Sequence, residues 1–449
     1  MRPADVRGIQ QRDAESESAT NGVAIARAVL HGVATQEQIS RLDGSLAARV
    51  ASMSHHSTVM RYLGNKTRLL AFIGSVLDDN GIRGGRAFDA FAGTASVGRF
   101  LKRRGFEVWS CDLMTYSFVL QQSGIELDVL PAFAALFEGD AALRASRGDP
   151  HCRRCTDMML TAQHDLWSGT TDPYRPACEV LCYLEQALPR CAGFVTREYS
   201  RHASGGADSD RMYFTATNGQ RIDAVRTRIH EWRSAGLLTD HEQALLLASL
   251  LEGADAVANT TGIYAAYVKA WQSNARRALR LELPDLVTGT GLACRAVLGD
   301  ANQSIRDVGR HELLYLDPPY NTRQYSAYYH VPEVIATGWF HAEPEVRGKT
   351  GLIPDGDRKS RWSTRGGCVD ALDELIGQAD AAYVLMSYNS EGIIPETEIR
   401  RIFRDHGVAS SFRIYEHHYA RYRADRDHER RRYAANSVTE KIYFVRLRS

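Results

Sequence analysis

The chain has 449 residues, of which 44% are hydrophobic and 24% charged, a composition typical of a globular protein and not of a collagen, a disordered chain or a disulfide-stapled miniprotein. Its 55 basic and 54 acidic residues give a net charge of +1, which argues neither for nor against nucleic-acid binding. No window approaches 18 unbroken apolar residues, and the polar start lacks the apolar core of a signal peptide. The sequence therefore predicts a cytoplasmic protein with no membrane partner.

The amino-terminal part of the chain changes character at residue 60. Residues 1–59 are rich in serine, alanine, glutamine and charge with little periodicity, and they predict a poorly structured extension. From residue 60 to about 130 the pattern predicts helix, strand, glycine-containing turn, helix and strand, with the strands at 86–91 and 106–111. Such a unit opens an α/β domain.

Residues 131–292 are predicted to be mainly helical. Thr239 and Glu242 have the spacing of a capping box at the start of a helix. An earlier helical face carries apolar residues at helical spacing, namely Ile222, Val225, Ile229 and Trp232. Because a helical segment of this length exceeds a crossover within one sheet, we predict that it is an insertion.

The α/β pattern returns near Cys294 and continues to the end of the chain. The predicted strands cover residues 295–298, 313–316, 382–386, 412–415 and 441–447. We therefore predict one α/β domain built from residues 60–130 and 293–449, with residues 131–292 inserted into it.

The strongest chemical signal is Asp317-Pro318-Pro319-Tyr320, directly after a predicted strand. Two successive prolines cannot continue a sheet, so the chain turns out at the strand's carboxyl end, the edge where open α/β sheets bind ligands. The turn offers a carboxylate, a backbone carbonyl and an aromatic face. These groups suit adenine: two oxygens accept from its amino group while the aromatic ring stacks on a base taken out of the helix.

A second motif, Phe88-Asp-Ala-Phe-Ala-Gly-Thr-Ala-Ser-Val-Gly98, follows a strand and opens a helix. Gly93 lets the backbone approach a ligand, although the motif is neither a GxGxxG sequence nor a P-loop. Asp112 ends the next strand, and its spacing from Gly93 in the sequence suits an acid that binds a ribose diol. Asp300 follows the predicted strand at 295–298 and suits the amino group of a cofactor adenine.

In this order the motifs resemble the D12 class of DNA adenine-N6 methyltransferases, the class of the Dam-type enzymes. The resemblance includes Arg61-Tyr-Leu-Gly-Asn-Lys66, which by itself predicts only a solvated turn, and the strings 317–325 and 386–392. It covers residues 60–449. It implies a methyltransferase that depends on S-adenosylmethionine and has a Rossmann-like α/β sheet. Residues 60–130 and 293–449 would form the catalytic domain, and residues 131–292 would form a helical target-recognition domain.

The resemblance also implies a role for individual residues, with S-adenosylmethionine as the cofactor. The implied cofactor-binding residues are Tyr62 and Lys66 at its methionine end, Phe91 and Gly93 beneath it, Asp112 at its ribose, Asp300 near its adenine, and Asp317. The implied catalytic groups are Asp317 and the Pro318 carbonyl, which hold the target N6, and Tyr320, which stacks on the base. Tyr62 replaces the tryptophan often found at its position and keeps an aromatic surface.

The implied reaction is direct in-line methyl transfer to N6 of a flipped-out adenine in a specific duplex site. Catalysis would come from positioning of the reactants and from hydrogen bonds to an amine that becomes positive. The implied setting is restriction–modification or a related defence or regulatory role in the bacterial nucleoid, with a cognate restriction endonuclease as partner. Three alternatives remain open: an N4-cytosine methyltransferase, an RNA N-methyltransferase and a catalytically silent DNA-binding module. A cytosine-C5 enzyme is excluded, because no cysteine directly follows a proline.

Three further features have two interpretations each. Cys152 and Cys155, with Cys178 and Cys182, have spacings that could hold a structural zinc, or they are buried free thiols. Residues 421–433 interleave arginine with tyrosine and either contact DNA phosphates or form a solvated loop. The run Tyr328-Tyr329-His330 either lines the target pocket or packs a helix.

Overall fold

A computed structural model describes residues 60–146, 173–201, 210–420 and 437–448. The predicted extension over residues 1–59 lies outside these ranges. The strands of the described residues are β1 (Gly85–Asp89), β2 (Phe106–Asp112), β3 (Ser200–Arg201), β4 (Phe214–Thr215), β5 (Arg295–Leu298), β6 (His311–Leu316), β7 (Ala381–Asn389), β8 (Arg413–Ala420) and β9 (Ser437–Arg446).

One mostly parallel sheet forms the centre of the fold. Seven of the described strands join it in the order β5–β2–β1–β6–β7–β9–β8, while β3 and β4 pair separately. The strands from β5 to β7 are parallel, and β9 is antiparallel to both of its neighbours. Since the chain builds outward from β1 on one side and from β6 on the other, the topological switch point lies between β1 and β6. The predicted Rossmann-like α/β sheet is confirmed.

Helices cover both faces of this sheet. The α-helices of the described residues are α1 (Leu70–Asp79), α2 (Ser96–Arg103), α3 (Thr115–Gln121), α4 (Ala134–Gly139), α5 (Ala141–Ser146), α6 (Arg175–Cys182), α7 (Phe194–Tyr199), α8 (Ala216–Ser234), α9 (Asp240–Ala256), α10 (Ala301–Val308), α11 (Tyr325–Tyr328), α12 (His330–Thr337), α13 (Cys368–Gln378) and α14 (Glu396–His406). Helices α1 and α2 pack on one face, and α10, α13 and α14 pack on the other.

Both faces of the central strands are buried, which explains their nearly continuous apolar sequences. Phe88 and Leu314 belong to the core under α10, α13 and α14, whereas the preceding residues Ala87 and Leu313 belong to the core under α1 and α2. Successive side chains of a strand alternate between faces, so each apolar run supplies both cores.

A third core joins α3 to the helices of residues 131–292. The predicted capping box is present, because Thr239 accepts a hydrogen bond from the Glu242 amide and Glu242 accepts one from the Thr239 amide. The predicted apolar face of α8 is buried. Residues 257–294, all of them described, form neither helix nor strand, and three glycines and one proline in this stretch disfavour a helix.

The boundaries predicted at residues 130 and 293 stay predictions, since the described residues all belong to one contact unit. Among the described helices, none combines the length and the apolar character needed to cross a bilayer.

Candidate functional site

Four acidic residues lie at the carboxyl ends of neighbouring parallel strands. Asp89 and Asp112 end β1 and β2, Asp317 directly follows β6, and Asp300 is the second residue after β5. Strands β1 and β6 stay in register up to the pair Asp89 and Tyr315, so the strand ends meet at one edge of the sheet. This edge is the switch-point crevice where such sheets bind ligands.

Two adjoining cavities open along this edge. The larger one, here the main cleft, encloses about 720 Å³ of empty space, part of which is open to solvent. Its walls include the predicted residues Tyr62, Phe91, Asp112, Asp300, Asp317 and Tyr320. The smaller one, here the inner cavity, is lined by Lys66, Asp89 and Gly93 and shares Tyr62, Phe91 and Asp317 with the main cleft. Every residue predicted to bind a cofactor thus lines one of the two cavities, and Pro318 is buried in the turn.

A cluster of polar side chains, here the Lys66 cluster, consists of the buried Lys66 and Glu440 and the half-buried Asp317 and Tyr320. The Lys66 ammonium nitrogen lies 3.0 Å from Asp317 Oδ1 and 3.2 Å from Glu440 Oε1, and it also contacts the Tyr320 hydroxyl. The Tyr320 hydroxyl donates to Asp317 Oδ1 at 2.5 Å. The cluster thereby joins the first motif of the sequence to the Asp-Pro-Pro-Tyr turn.

The charges in this cluster act against the effect of burial on the Lys66 ammonium and on the Asp317 carboxyl. Burial acts to lower the pKa of Lys66, but attraction to Asp317 and Glu440 outweighs it, so that the pKa is raised. Burial raises the pKa of Asp317, while Lys66 and the Tyr320 hydroxyl limit the rise. Lys66 and Tyr320 therefore stabilise the ionised form of Asp317, although burial keeps its pKa above the ordinary value. In that ionised form both carboxylate oxygens are acceptors for a ligand amine.

The glycine turn after β1 is built around Asp112. Gly93 has φ +50° and donates its amide to Asp112 Oδ2 at 2.9 Å, while the Met114 amide donates to Oδ1 at 2.9 Å. A Cβ added to Gly93 would lie 2.8 Å from the Tyr62 ring. Only glycine combines this backbone conformation with the close approach of Tyr62. Asp300 has a comparable local role, because its carboxylate accepts from the Asn302 amide and caps α10.

Tyr62 is held by aromatic neighbours. Its ring stacks on Tyr329 with centroids 4.8 Å apart, and the Tyr329 hydroxyl accepts from the Leu63 amide at 2.6 Å. Tyr329 and His330 are fully buried, and burial lowers the pKa of His330 to about 4. Of the two interpretations of the Tyr328–His330 run, the packing role therefore holds for Tyr329 and His330.

Trp362 completes the main cleft and was not identified from the sequence. Its ring meets Phe91 edge-on with centroids 4.8 Å apart, and its indole N–H donates to Asn302 Oδ1 at 2.9 Å. The segment that carries Trp362 is held by Gln324, whose side-chain amide exchanges two hydrogen bonds with the Ser360 backbone, at 2.8 and 3.0 Å. Since Trp362 lies in a short 3-10 helix, Arg361–Ser363, outside every motif, no local pattern signals it.

Asp89 is a second residue without a role in the sequence analysis, although it lies inside the glycine motif. Its side chain is 1% exposed and lines the inner cavity. The Phe91 and Gly98 amides approach its carboxyl, but no donor among the described residues makes a well-formed hydrogen bond with it. Burial and the nearby Asp317 carboxylate raise the pKa of Asp89 to about 8. An acid so placed suits a cationic ligand group.

Some candidates fall partly outside the described residues. Cys152, Cys155 and residues 421–433 are not described, while Cys178 and Cys182 lie one turn apart on α6. Within the described ranges no group of three or more potential ligands could hold a metal ion. Arg211, a basic residue of the 131–292 segment, is buried and pairs with Glu198 at 3.1 Å, which is a structural contact.

Comparison with known proteins places these features in one family. The family model for D12 class N6 adenine-specific DNA methyltransferases matches residues 62–142 and 183–402. The type II methyltransferase M.FokI of Planomicrobium okeanokoites is 32% identical over 86% of this chain, and the type II methyltransferase M.NlaIII of Neisseria lactamica is 31% identical over 86%. The modification methylase StsI of Streptococcus sanguinis is 28% identical over 81%.

The relatives differ in length. The alignments cover 52% of M.FokI and 49% of StsI, so this chain spans about half of those proteins, whereas they cover 99% of M.NlaIII. No solved structure matches the chain significantly. Since the family model covers both the glycine turn and the Asp-Pro-Pro-Tyr turn, this chain belongs to the family of D12 class N6 adenine-specific DNA methyltransferases.

Proposed function

We propose that this protein transfers a methyl group from S-adenosylmethionine to N6 of an adenine in a specific duplex DNA site. The observation that carries the proposal is the position of Asp317-Pro318-Pro319-Tyr320, directly after β6 at the switch point, with Asp317 in the walls of both cavities. The printed names of the relatives, type II methyltransferase and modification methylase, support a restriction–modification setting with a partner endonuclease.

The two cavities fit S-adenosylmethionine by the chemistry of their walls. Asp112 would accept from the ribose hydroxyls, Asp300 would lie near the adenine amine, and Phe91 with Trp362 offers apolar surface for the ring. The inner cavity holds Asp89, whose carboxyl lacks a well-formed partner among the described residues and would pair with the α-ammonium group. When bound, the cofactor supplies an electrophilic methyl group on its sulfonium.

The turn after β6 would hold the target amine. The lone pair of an adenine amino group is drawn into the ring, so the group is a poor nucleophile until its two N–H bonds are held. Asp317 and the Pro318 carbonyl would accept these two bonds and aim the lone pair, while the Tyr320 ring would stack on the base. The Tyr320 ring is itself supported by Tyr388, with centroids 5.2 Å apart.

Residues 131–292 would supply target recognition. Arg197 is about half exposed there, with its side-chain relative exposure at 49%, and belongs to the surface that could meet base edges or phosphates. Residues 421–433 would contact phosphates beside the flipped base, as their arginine content suggests.

Long-read sequencing of DNA from cells expressing this protein tests the function, with cells expressing Asp317→Ala as the control. N6-methyladenine in one defined motif, absent from the control, is the expected result. Modification of cytosine, or no modified base in cells that contain the folded protein, would contradict it.

Cofactor binding is expected to release a proton at pH 7. Because its pKa is about 8, most Asp89 carboxyls of the free protein carry a proton at pH 7, and pairing with an ammonium group favours the carboxylate. Calorimetric titration in buffers of different ionisation enthalpy measures this release. The Asp89→Asn variant should bind S-adenosylmethionine more weakly and should lose the proton release that Asp89 contributes. A proton release equal to that of the wild-type protein would exclude Asp89 from the cofactor site.

A structural zinc held by Cys152, Cys155, Cys178 and Cys182 stays a proposal for the reduced protein, because Cys182 is disulfide-bonded in the structure and a disulfide sulfur is not a thiolate ligand. Protein purified under reducing conditions is expected to contain about one zinc ion per chain. Elemental analysis measures it, and the Cys178→Ser variant should lose the metal. Cys368→Ser serves as the control, because Cys368 lies in the core beneath α10, α13 and α14 and is not one of the four proposed ligands. The absence of stoichiometric metal from the wild-type protein would refute the proposal.

A further inference from the structure

We infer that Glu440 is a positioning residue for methyl transfer: its carboxylate balances the charge of the Lys66 ammonium, so that the Lys66 cluster keeps an excess of negative charge beside the target amine. The inference rests on the proposed adenine-N6 activity and adds a residue that lies in none of the sequence motifs.

The geometry of the Lys66 cluster gives Lys66 two counter-ions. Its ammonium nitrogen is 3.0 Å from Asp317 Oδ1 and 3.2 Å from Glu440 Oε1, and the Lys66 and Glu440 side chains are only 4% and 2% exposed. Water therefore screens these charges little, and the interactions between them remain strong. One ammonium between two ionised carboxylates would leave a formal net charge of −1.

The fold fixes the position of Glu440. Strand β9 pairs antiparallel with β7, and the register places Glu440 opposite Asn389. The Ser387 hydroxyl donates to Glu440 Oε1 at 2.7 Å, and the Tyr320 hydroxyl lies 3.2 Å from the same oxygen. Glu440 also lines a further cavity, on the side of Lys66 and Tyr320 that carries Asn321 and Asn389.

The reaction gives this charge balance its role. As N6 forms its bond to the methyl group, the amine nitrogen becomes positive, and a negative group beside it stabilises that charge. Asp317 paired with Lys66 alone would form a neutral pair and would stabilise the positive amine less. With Glu440 present, Lys66 is already compensated, and the excess negative charge stays at the cluster that holds the amine.

Stability alone does not explain a second buried carboxylate here. Lys66 already has Asp317 as a counter-ion, and burying a second carboxylate costs desolvation free energy that one shared ammonium repays only in part. The arrangement therefore keeps an anion in excess next to the reacting group.

The test is the Glu440→Gln variant in single-turnover methylation of a duplex that the wild-type protein methylates. Glutamine has nearly the same shape and still accepts from Lys66 and Ser387. We expect the methyl-transfer rate to fall roughly tenfold or more, while the dissociation constants for S-adenosylmethionine and DNA stay nearly unchanged. An effect on KM with an unchanged rate would overturn the inference.

The pH–rate profile separates a charge effect from a packing effect. Glu440 acts to raise the pKa of Asp317, so its neutralisation should move the acid limb of the profile to lower pH. The titratable groups that interact with Asp317 are Lys66, Asp89, Tyr315, Tyr320, Tyr325, Tyr388 and Glu440. An acid limb that stays in place while the rate falls would indicate a packing role and overturn the inference.

Two controls complete the experiment. Ser387→Ala removes one hydrogen bond to Glu440 and keeps its charge, so it should retain most of the rate. Glu440→Asp also keeps the charge and should restore much of the rate lost in Glu440→Gln; if the glutamine variant does not fold, a fall in the aspartate variant as large as tenfold would overturn the inference. Absence of adenine methylation by the wild-type protein would instead refute the proposed function, which makes the two failures distinguishable.

Discussion

Replacing Asp317 with asparagine is expected to lower the rate of methyl transfer on the order of a thousandfold, the largest effect of any single substitution in this chain. Asparagine keeps the shape of the side chain but removes the negative charge that would face the amine as it becomes positive. One of its two terminal groups is an N–H donor, which repels the N–H bonds of the target. Lys66 would keep Glu440 as a counter-ion, at 3.2 Å, so the fold of the site should survive.

The measurement is single-turnover methylation at saturating cofactor, together with the dissociation constant for S-adenosylmethionine. We expect this constant to change little, because the ribose and adenine ends of the cofactor would be held by other acids. Asp380→Asn is the matched control, since Asp380 is an exposed acid just before β7, at the opposite edge of the sheet. Asp317→Asn with more than about a tenth of the wild-type rate would remove Asp317 from the catalytic role.

Replacing Asp112 with asparagine is expected to weaken cofactor binding on the order of a hundredfold. Hydrogen bonds to a charged acceptor are each worth about 1.5–3 kcal/mol, and the ribose offers two hydroxyl donors. Asparagine retains an oxygen for one of the two backbone amides that Asp112 now accepts, from Gly93 and Met114. The other backbone amide would face the asparagine NH2 group and lose its acceptor, so a control variant must separate the loss in the turn from the loss in ligand binding.

Equilibrium binding of S-adenosylmethionine measures this effect, and the methyl-transfer rate at saturating cofactor should stay close to the wild-type value. The matched control is Asp128→Asn. Asp128 likewise accepts backbone amides, from Thr290 and Gly291, but it lines neither the main cleft nor the inner cavity. A similar loss of cofactor affinity in both variants would mean that Asp112 acts on the turn alone, and an unchanged constant would exclude it from the site.

The strands could be predicted because their signal is local. An apolar run bounded by turn residues indicates a buried strand wherever the strand later pairs. Strand β5 has the predicted bounds, and β2 differs from its prediction by one residue. The end of the chain was less predictable: the strand expected at 412–415 runs from Arg413 to Ala420, because polar residues that pair with β9 continue it past the apolar run.

The candidate site was predictable where its residues follow strands directly. In a parallel sheet the carboxyl ends of the strands share one edge, so Asp112, Asp300 and Asp317 could be grouped from sequence before any contact was known. Glycine at position 93 carried a comparable signal, since the turn that it makes requires a conformation that other residues rarely adopt.

By itself, then, the sequence determined the fold class, the order of the motifs and the acids at the strand ends, all of which depend on patterns within a few residues. Only the tertiary structure decided that Glu440 pairs with Lys66, that Trp362 meets Phe91 in the main cleft, and that Asp89 is buried beside Asp317. These contacts join residues from separate elements. The charge and burial around each residue depend on the order of the strands in the sheet. That order is a property of the whole chain, and no local pattern contains it.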